Sequence, residues 1–194
     1  RSPSRGLGDV YKRQLFGWLL KRTKAVYARD EDSVHALEKL GYKDAEFFMD
    51  TSRFAYDRTT VEKDSPSDKK VALINLNKNG EKFYPNLLAE CKSLLQEGYE
   101  LAYVPVSKWE SPVYNDPQYQ TQLEKDLNIT MESIDWEENF STFLQKVKGA
   151  DIIITGRLHL FLIASYLWVK TKVFPYQKKI LKMTSILERL GILK

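Results

Sequence analysis

Apolar positions along this chain follow two alternating rhythms, short runs and longer segments with a repeat of three to four, and the alternation predicts strands interleaved with helices. Ala25 to Tyr27, Glu46 to Met49, Val71 to Leu76, Leu101 to Val106, Ile152 to Ile154 and Thr171 to Tyr176 read as strands. Helical spacing appears at Val34, Leu37 and Leu40, which Gly41 stops, and at Leu87, Leu88, Cys91, Leu94 and Leu95, between Pro85 and Gly98. A short helix up to about Leu127 comes next. Phe140, Phe143, Leu144 and Val147 mark a helix around Glu137 to Lys148, and Ile180, Met183, Ile186, Leu187 and Leu190 mark one over Lys179 to Leu190. Asp57 to Lys70, with Pro66, reads as a polar surface connection that buries nothing, and Lys108 to Gln118 as a loop marked by Pro112 and Pro117.

One stretch carries more than the rest. From Gly149 to Ser165 the chain passes from an unbroken apolar run, Ile152 to Ile154, through Gly156 to the apolar segment Leu158 to Val169. An unbroken run is the mark of a strand covered on both faces, and the second segment is too short to cross a bilayer and fits a core helix. Arg157 and His159 fall at the join. In an open parallel sheet ligands gather at the carboxyl ends of strands, where a helix start offers free N–H groups to an anion. A carboxylate or phosphate is the ligand this pattern favours. The element order as a whole predicts an α/β fold, a Rossmann-like parallel sheet with helices on both faces.

Charge alters the picture only after the first residues are set aside. Ser4 to Gln14 resembles the conceptual translation of a sequencing-library adapter, so Arg1 to Gln14 is read as a non-native segment and 15–194 as one domain. Arg1, Arg5, Lys12 and Arg13 against Asp9 supply +3 of the chain's net +4, which leaves +1 on the remainder. A nucleic-acid or anionic-membrane partner loses its electrostatic basis. The same basic residues ahead of Leu15 to Leu20 imitate a signal peptide, and without them no leader pattern remains. No transmembrane segment is expected. Apolar residues make up 43% and charged residues 29%, a balance that excludes intrinsic disorder. Cys91 is the single cysteine and sits on a core face, so the expectation is a buried thiol, no disulfide and a cytoplasmic location.

The motifs then point to a family. Arg29-Asp30-Glu31-Asp32-Ser33, Leu40-Gly41, Asp50 and Phe54 resemble the R-D-x-x-S, L-G and D-x-x-F series of the polysaccharide pyruvyl transferase family. Ala150-Asp151 to Ser165 is similar to that family's A-D-x-x-I-x-x-R-L-H-x-x-x-x-A block, and Tyr176 to Ile180 to its Y-D-P-K-V segment, with Gln177 and Lys178 in place of Asp-Pro. An Asn-x-Gly-Asp loop of the family is absent outside the segment set aside. The resemblance implies the C-terminal half of a two-domain, GT-B-like architecture, with the N-terminal domain missing from this chain. It also implies transfer of a pyruvyl group from phosphoenolpyruvate to sugar hydroxyls of a surface or capsular glycan, on a nucleotide- or lipid-linked precursor, forming a ketal.

These residue types suit that chemistry. Phosphoenolpyruvate carries a carboxylate and a phosphate, for which Arg157, Arg29 and the helix start supply planar donors and oriented N–H groups. His159 can act as acid, base or donor to the leaving phosphate; Asp30 and Asp50 are alternative bases for the sugar hydroxyl; Lys179 can add a cation. Neither a cofactor nor a metal is expected, since His35 and His159 lie on separate elements. Each residue also has a plainer role: Arg29 and Asp30 can pair or cap the Ser33 helix, Lys179 can belong to a solvated face, and His35 reads as surface. Tyr99, Tyr103, Trp109, Tyr114 and Tyr119 can stack on sugars but fit core or loop packing better. Two other functions stay open, a GT-B-type glycosyltransferase using a nucleotide sugar and a noncatalytic glycan- or anion-binding module.

Overall fold

The structure, a computed structural model, describes residues 4–48, 69–108 and 115–173. The chain divides into two compact units, Arg1–Arg53 and Phe54–Lys194, whereas the sequence reading runs one domain from 15 to 194. In the first unit α1 (Ser4–Leu20) takes in Ser4 to Gln14 of the segment set aside and continues through Leu15 to Leu20 as one helix. β1 (Val26–Ala28), α2 (Glu31–Lys39) and β2 (Ala45–Phe47) follow as a parallel β-α-β unit. Asp30 opens α2 by accepting hydrogen bonds from the Ser33 N–H at 2.8 Å and the Ser33 hydroxyl at 2.9 Å. Gly41 closes it at φ 87°, with the Tyr42 N–H returning to the Leu37 carbonyl at 3.1 Å. Such left-handed closure favours glycine.

The second unit is a five-stranded, wholly parallel sheet. Its elements are β3 (Lys70–Ile74), a 3₁₀ turn (Lys78–Phe83), α3 (Tyr84–Gln96), β4 (Tyr99–Tyr103), α4 (Pro117–Leu127), β5 (Glu132–Ser133), α5 (Phe140–Gly149), β6 (Ile152–Thr155), α6 (Leu158–Tyr166) and β7 (Thr171–Val173). Spatial order is β5-β4-β3-β6-β7, with Leu73 opposite both Ala102 and Ile153. Leu73, Ala102 and Ile153 pack with Phe143, Leu144 and Val147 of α5 and Leu160, Ile163 and Ala164 of α6. On the other face Ala72, Ile74, Tyr103, Ile152 and Ile154 pack with Leu87, Cys91 and Leu94 of α3 and Tyr119 and Leu123 of α4. The predicted α/β fold, Rossmann-like with helices on both faces, is therefore the one observed. Cys91 is a core thiol whose pKa burial pushes up to about 12, far from thiolate chemistry.

Two differences from the sequence pattern have physical reasons. β5 is two polar residues that owe their strand geometry to pairing with Ala102 and Tyr103, and no periodicity announces it. The apolar run predicts a helix to Val169, yet α6 ends at Tyr166: Trp168 adopts φ 60°, and the N–H groups of Trp168 and Val169 return to Ser165 and Ala164 at 3.2 and 2.9 Å. This is a Schellman closure with tryptophan where glycine is usual. Trp168 is 67% exposed, so its ring contributes little burial against the ~1–2 kcal/mol that a left-handed non-glycine residue costs. After glycine's own entropic cost, Trp168→Gly should stabilise by up to about 1 kcal/mol, read as a rise of a few degrees in Tm. Finally, Asp50, Phe54, Trp109, Tyr114, Tyr176, Lys179 and the helix over Lys179 to Leu190 lie outside the described residues.

Candidate functional site

The sheet order reverses once. From β3 the chain steps outward to β4 and β5, then crosses back to lay β6 on the opposite side of β3 and β7 beyond it. Open α/β sheets bind ligands at this switch point, outside the carboxyl ends of the two strands that flank it. Here those ends are Asn75, just past β3, and Thr155, at the end of β6.

Both residues are fully buried, and a polar network runs from them to Arg157. The Asn75 side-chain N–H group donates to the Val104 carbonyl at 2.8 Å and to Asp116 Oδ2 at 3.2 Å. Its Oδ1 accepts from the Thr155 hydroxyl at 3.3 Å, and the Thr155 oxygen accepts from the Arg157 backbone N–H at 3.0 Å. Asp116, also fully buried, takes further hydrogen bonds from the backbone N–H groups of Val106 and Ser107, each at 3.2 Å. The Arg157 guanidinium closes the circuit side-on, with Nη2 at 2.5 Å from Oδ1 and Nε at 3.2 Å from Oδ2 of Asp116. Tyr103 braces the network from below: its hydroxyl accepts from the Leu76 N–H at 3.2 Å and lies 2.9 Å from the Leu76 carbonyl and 3.1 Å from that of Asp116. Burial pushes the pKa of this phenol well up, so it stays a neutral hydrogen-bonding group.

Arg157 is at once network member and N-cap of α6, and its side chain makes no cap hydrogen bond. The first hydrogen bond within the helix is from the Phe161 N–H to the Arg157 carbonyl at 3.0 Å, which leaves the N–H groups of Leu158, His159 and Leu160 outside the helical ladder. His159 is exposed in this first turn. A cation, a histidine and oriented N–H groups thus share one helix start, a constellation that can receive a carboxylate or phosphate.

The other sequence-predicted residues are placed differently. Arg29 and Asp30 lie at the carboxyl end of β1 in the first unit; Arg29 is exposed and Asp30 serves as the α2 cap. Asp50 and Lys179 fall outside the described residues. A cavity of about 420 Å³ in the first unit, lined by Lys21, Lys24, Tyr42 and Lys43 among others, includes neither Arg29 nor Asp30. His35 is on the surface, 3.0 Å from Glu38. Tyr103 and Tyr119 are core residues, which removes them as sugar platforms. Asp151, the acidic residue of the A-D block, accepts from the Val71 N–H at 2.8 Å and so fixes the β3–β6 register at the end remote from Arg157. Sequence reasoning missed Asn75 and Asp116. Asn75 carried a signal, a polar residue inside the apolar run Val71 to Leu76; Asp116 sat in a segment read as a loop.

A parallel doubly wound sheet with an arginine-bearing helix start at its switch point defines a Rossmann-like α/β domain. The sequence profile of the family described as polysaccharide pyruvyl transferase matches residues 9–167, beginning within the segment set aside, and the chain belongs to that family. No curated protein matches it. Among solved structures it is similar to a Listeria monocytogenes protein assigned as a UDP-N-acetylglucosamine 2-epimerase, with 18% identity and a TM-score of 0.59, over 92% of this chain and 52% of that one. At that identity the likeness shows the fold. The chain spans about half the length of that structure. Among the described residues no helix is long and apolar enough to cross a membrane.

Proposed function

We propose that this chain supplies the anion-binding half of a polysaccharide pyruvyl transferase that uses phosphoenolpyruvate as donor and a sugar diol of a glycan precursor as acceptor. The observation that supports it is the pairing of Arg157 with an exposed His159 at the α6 start, on a chain of this family. In this reading the Arg157 guanidinium and the α6 N–H groups hold the donor's carboxylate or phosphate. A proton added to the methylene carbon turns the enol into a methyl group and leaves a cationic centre at the neighbouring carbon. One sugar hydroxyl attacks that carbon, phosphate departs with the C–O electron pair, and the second hydroxyl closes the ketal. The diol gives up two protons, which balance the one gained by carbon and the one carried off by phosphate. His159 can move either, because imidazole exchanges protons near neutral pH. Arg29, Asp30, Asp50 and Lys179 keep in this proposal the substrate-facing roles that their residue types suit, with Asp30 already committed to a helix cap.

The test is phosphate release from phosphoenolpyruvate, in the presence of candidate glycans, by the full-length protein. His159→Ala should lower kcat by about 10²–10⁴-fold, the usual worth of a general acid or base. Arg157→Lys, which keeps the charge but not the planar fork, should act mainly on KM for the donor. Unchanged turnover in both variants would remove the proposed site. Protection from unfolding by a nucleotide sugar, with none by phosphoenolpyruvate, would instead favour a nucleotide-sugar transferase.

A further inference from the structure

We infer that Asp116 is a positioning residue for the anion site: it holds one edge of the Arg157 guanidinium so that the opposite edge faces the substrate anion. The inference rests on the proposed reading of Arg157 as an anion anchor, and it adds a residue that neither the sequence motifs nor the family block contains.

The argument is one of donor counting. A guanidinium has five N–H donors in a planar fork, one on Nε and two on each Nη. Asp116 engages Nε and Nη2, the side-on edge, which accounts for two of the five. Three remain, of which one on Nη1 and one on Nη2 form the end-on edge, which matches a second carboxylate or a phosphate. An unheld arginine at a strand end would sample many rotamers and lose that freedom on binding, at an entropic cost. A two-point hold removes the cost in advance.

Asp116 is itself held rigidly enough to aim another group. It is fully buried, its oxygens accept from Asn75, Val106 and Ser107 besides Arg157, and its own N–H donates to the Ser107 carbonyl at 2.8 Å. These partners come from beyond β3 and β4, so Asp116 links the carboxyl ends of both strands to the residue that leaves β6. Burying a carboxylate this deeply is expensive, and a pair that only stabilised the fold would do no better than apolar packing of the same volume. The Arg157 side chain, by contrast, is 19% exposed. The pair is buried at its carboxylate and reaches solvent at its guanidinium.

The experiment separates this role from a structural one by using inorganic phosphate as a probe that needs no turnover. Asp116→Asn keeps the shape but replaces one acceptor oxygen by a donor, so it can accept from only one edge position of Arg157. Expected is a loss of about tenfold in phosphate affinity and a similar rise in KM for phosphoenolpyruvate, with kcat changed by less than about threefold. In an Arg157→Lys background, where no fork is left to aim, the same substitution should cost less than about twofold. Equal effects in both backgrounds, or unaltered phosphate affinity in the folded protein, would overturn the inference. If Asp116→Asn does not fold, Asn75→Ala, which removes one donor that fixes the same carboxylate, must show the same pattern at smaller size. Absence of phosphate binding to the wild-type protein would also overturn it. Phosphate binding that follows the predicted pattern, without turnover of phosphoenolpyruvate, would leave Asp116 in its role and reject the pyruvyl transfer reading instead.

Discussion

Arg157→Ala should destabilise the second unit by about 3 kcal/mol, a loss large enough to mimic inactivation by itself. Most surface arginines cost far less, because an exposed ion pair contributes about 0–1 kcal/mol. The difference here lies with the partner. Asp116 is fully buried, and truncating Arg157 strands its carboxylate in the protein interior. Breaking a buried pair costs about 3–5 kcal/mol, and the lower end applies because Asn75, Val106 and Ser107 still donate to Oδ2. The double variant Arg157→Ala/Asp116→Asn should recover part of the loss, since a neutral amide is cheaper to leave without its cation. Urea unfolding of the two variants beside the wild type gives the answer. A double variant less stable than Arg157→Ala alone would mean that the buried charge is not the source of the penalty. The same reasoning makes Arg157→Lys, which keeps a cation near Asp116, the better probe of catalysis.

How far the sequence revealed this arrangement depends on the range of the interaction. The β6–α6 junction was legible because every signal is local: Gly149 before the strand, three isoleucines in a row, Gly156 as a break, and Arg157 and His159 two residues apart. The two-faced burial of β6 followed from that unbroken run, and the structure covers Ile152, Ile153 and Ile154 alike. Strand order was not legible, since periodicity says nothing of which strands become neighbours, and with it went the location of the switch point. Asp116 shows the limit most clearly. It lies 41 residues from Arg157 beside Pro117, in a stretch that reads as a loop, and only the fold brings it to the guanidinium. Trp168 marks a local failure of another kind. A helix end is usually signalled by glycine, and here a tryptophan takes the left-handed position without any cue in composition.

The strand that leads to Arg157 should also be where the second unit is most sensitive to truncation, on both of its faces. Ile153 packs with Leu144, Val147 and Leu160 in one core, whereas Ile154 packs with Leu87, Tyr103 and Tyr119 in the other. Each is fully buried, so Ile153→Ala and Ile154→Ala should each cost about 2–5 kcal/mol, through lost transfer energy and the cavity left behind. The corresponding valine variants should cost about 0.5–1.5 kcal/mol. In a sheet with one solvated face, adjacent residues would differ sharply, one variant expensive and the other within about 0.5 kcal/mol of wild type. Equal and large losses in denaturant unfolding therefore test the two-sided packing directly. With a domain's whole stability at about 5–15 kcal/mol, the double alanine variant should be at or past the folding threshold, and only the singles are informative. The two singles should differ in a second respect. Ile154 lies in the same core as Tyr103, whose hydroxyl reaches the Asp116 carbonyl, so Ile154→Val should loosen the anion site more than Ile153→Val does at matched stability loss. Phosphate affinity of the two valine variants measures it, and identical affinities would mean that the network holding Arg157 is braced by its own hydrogen bonds rather than by the core beneath it.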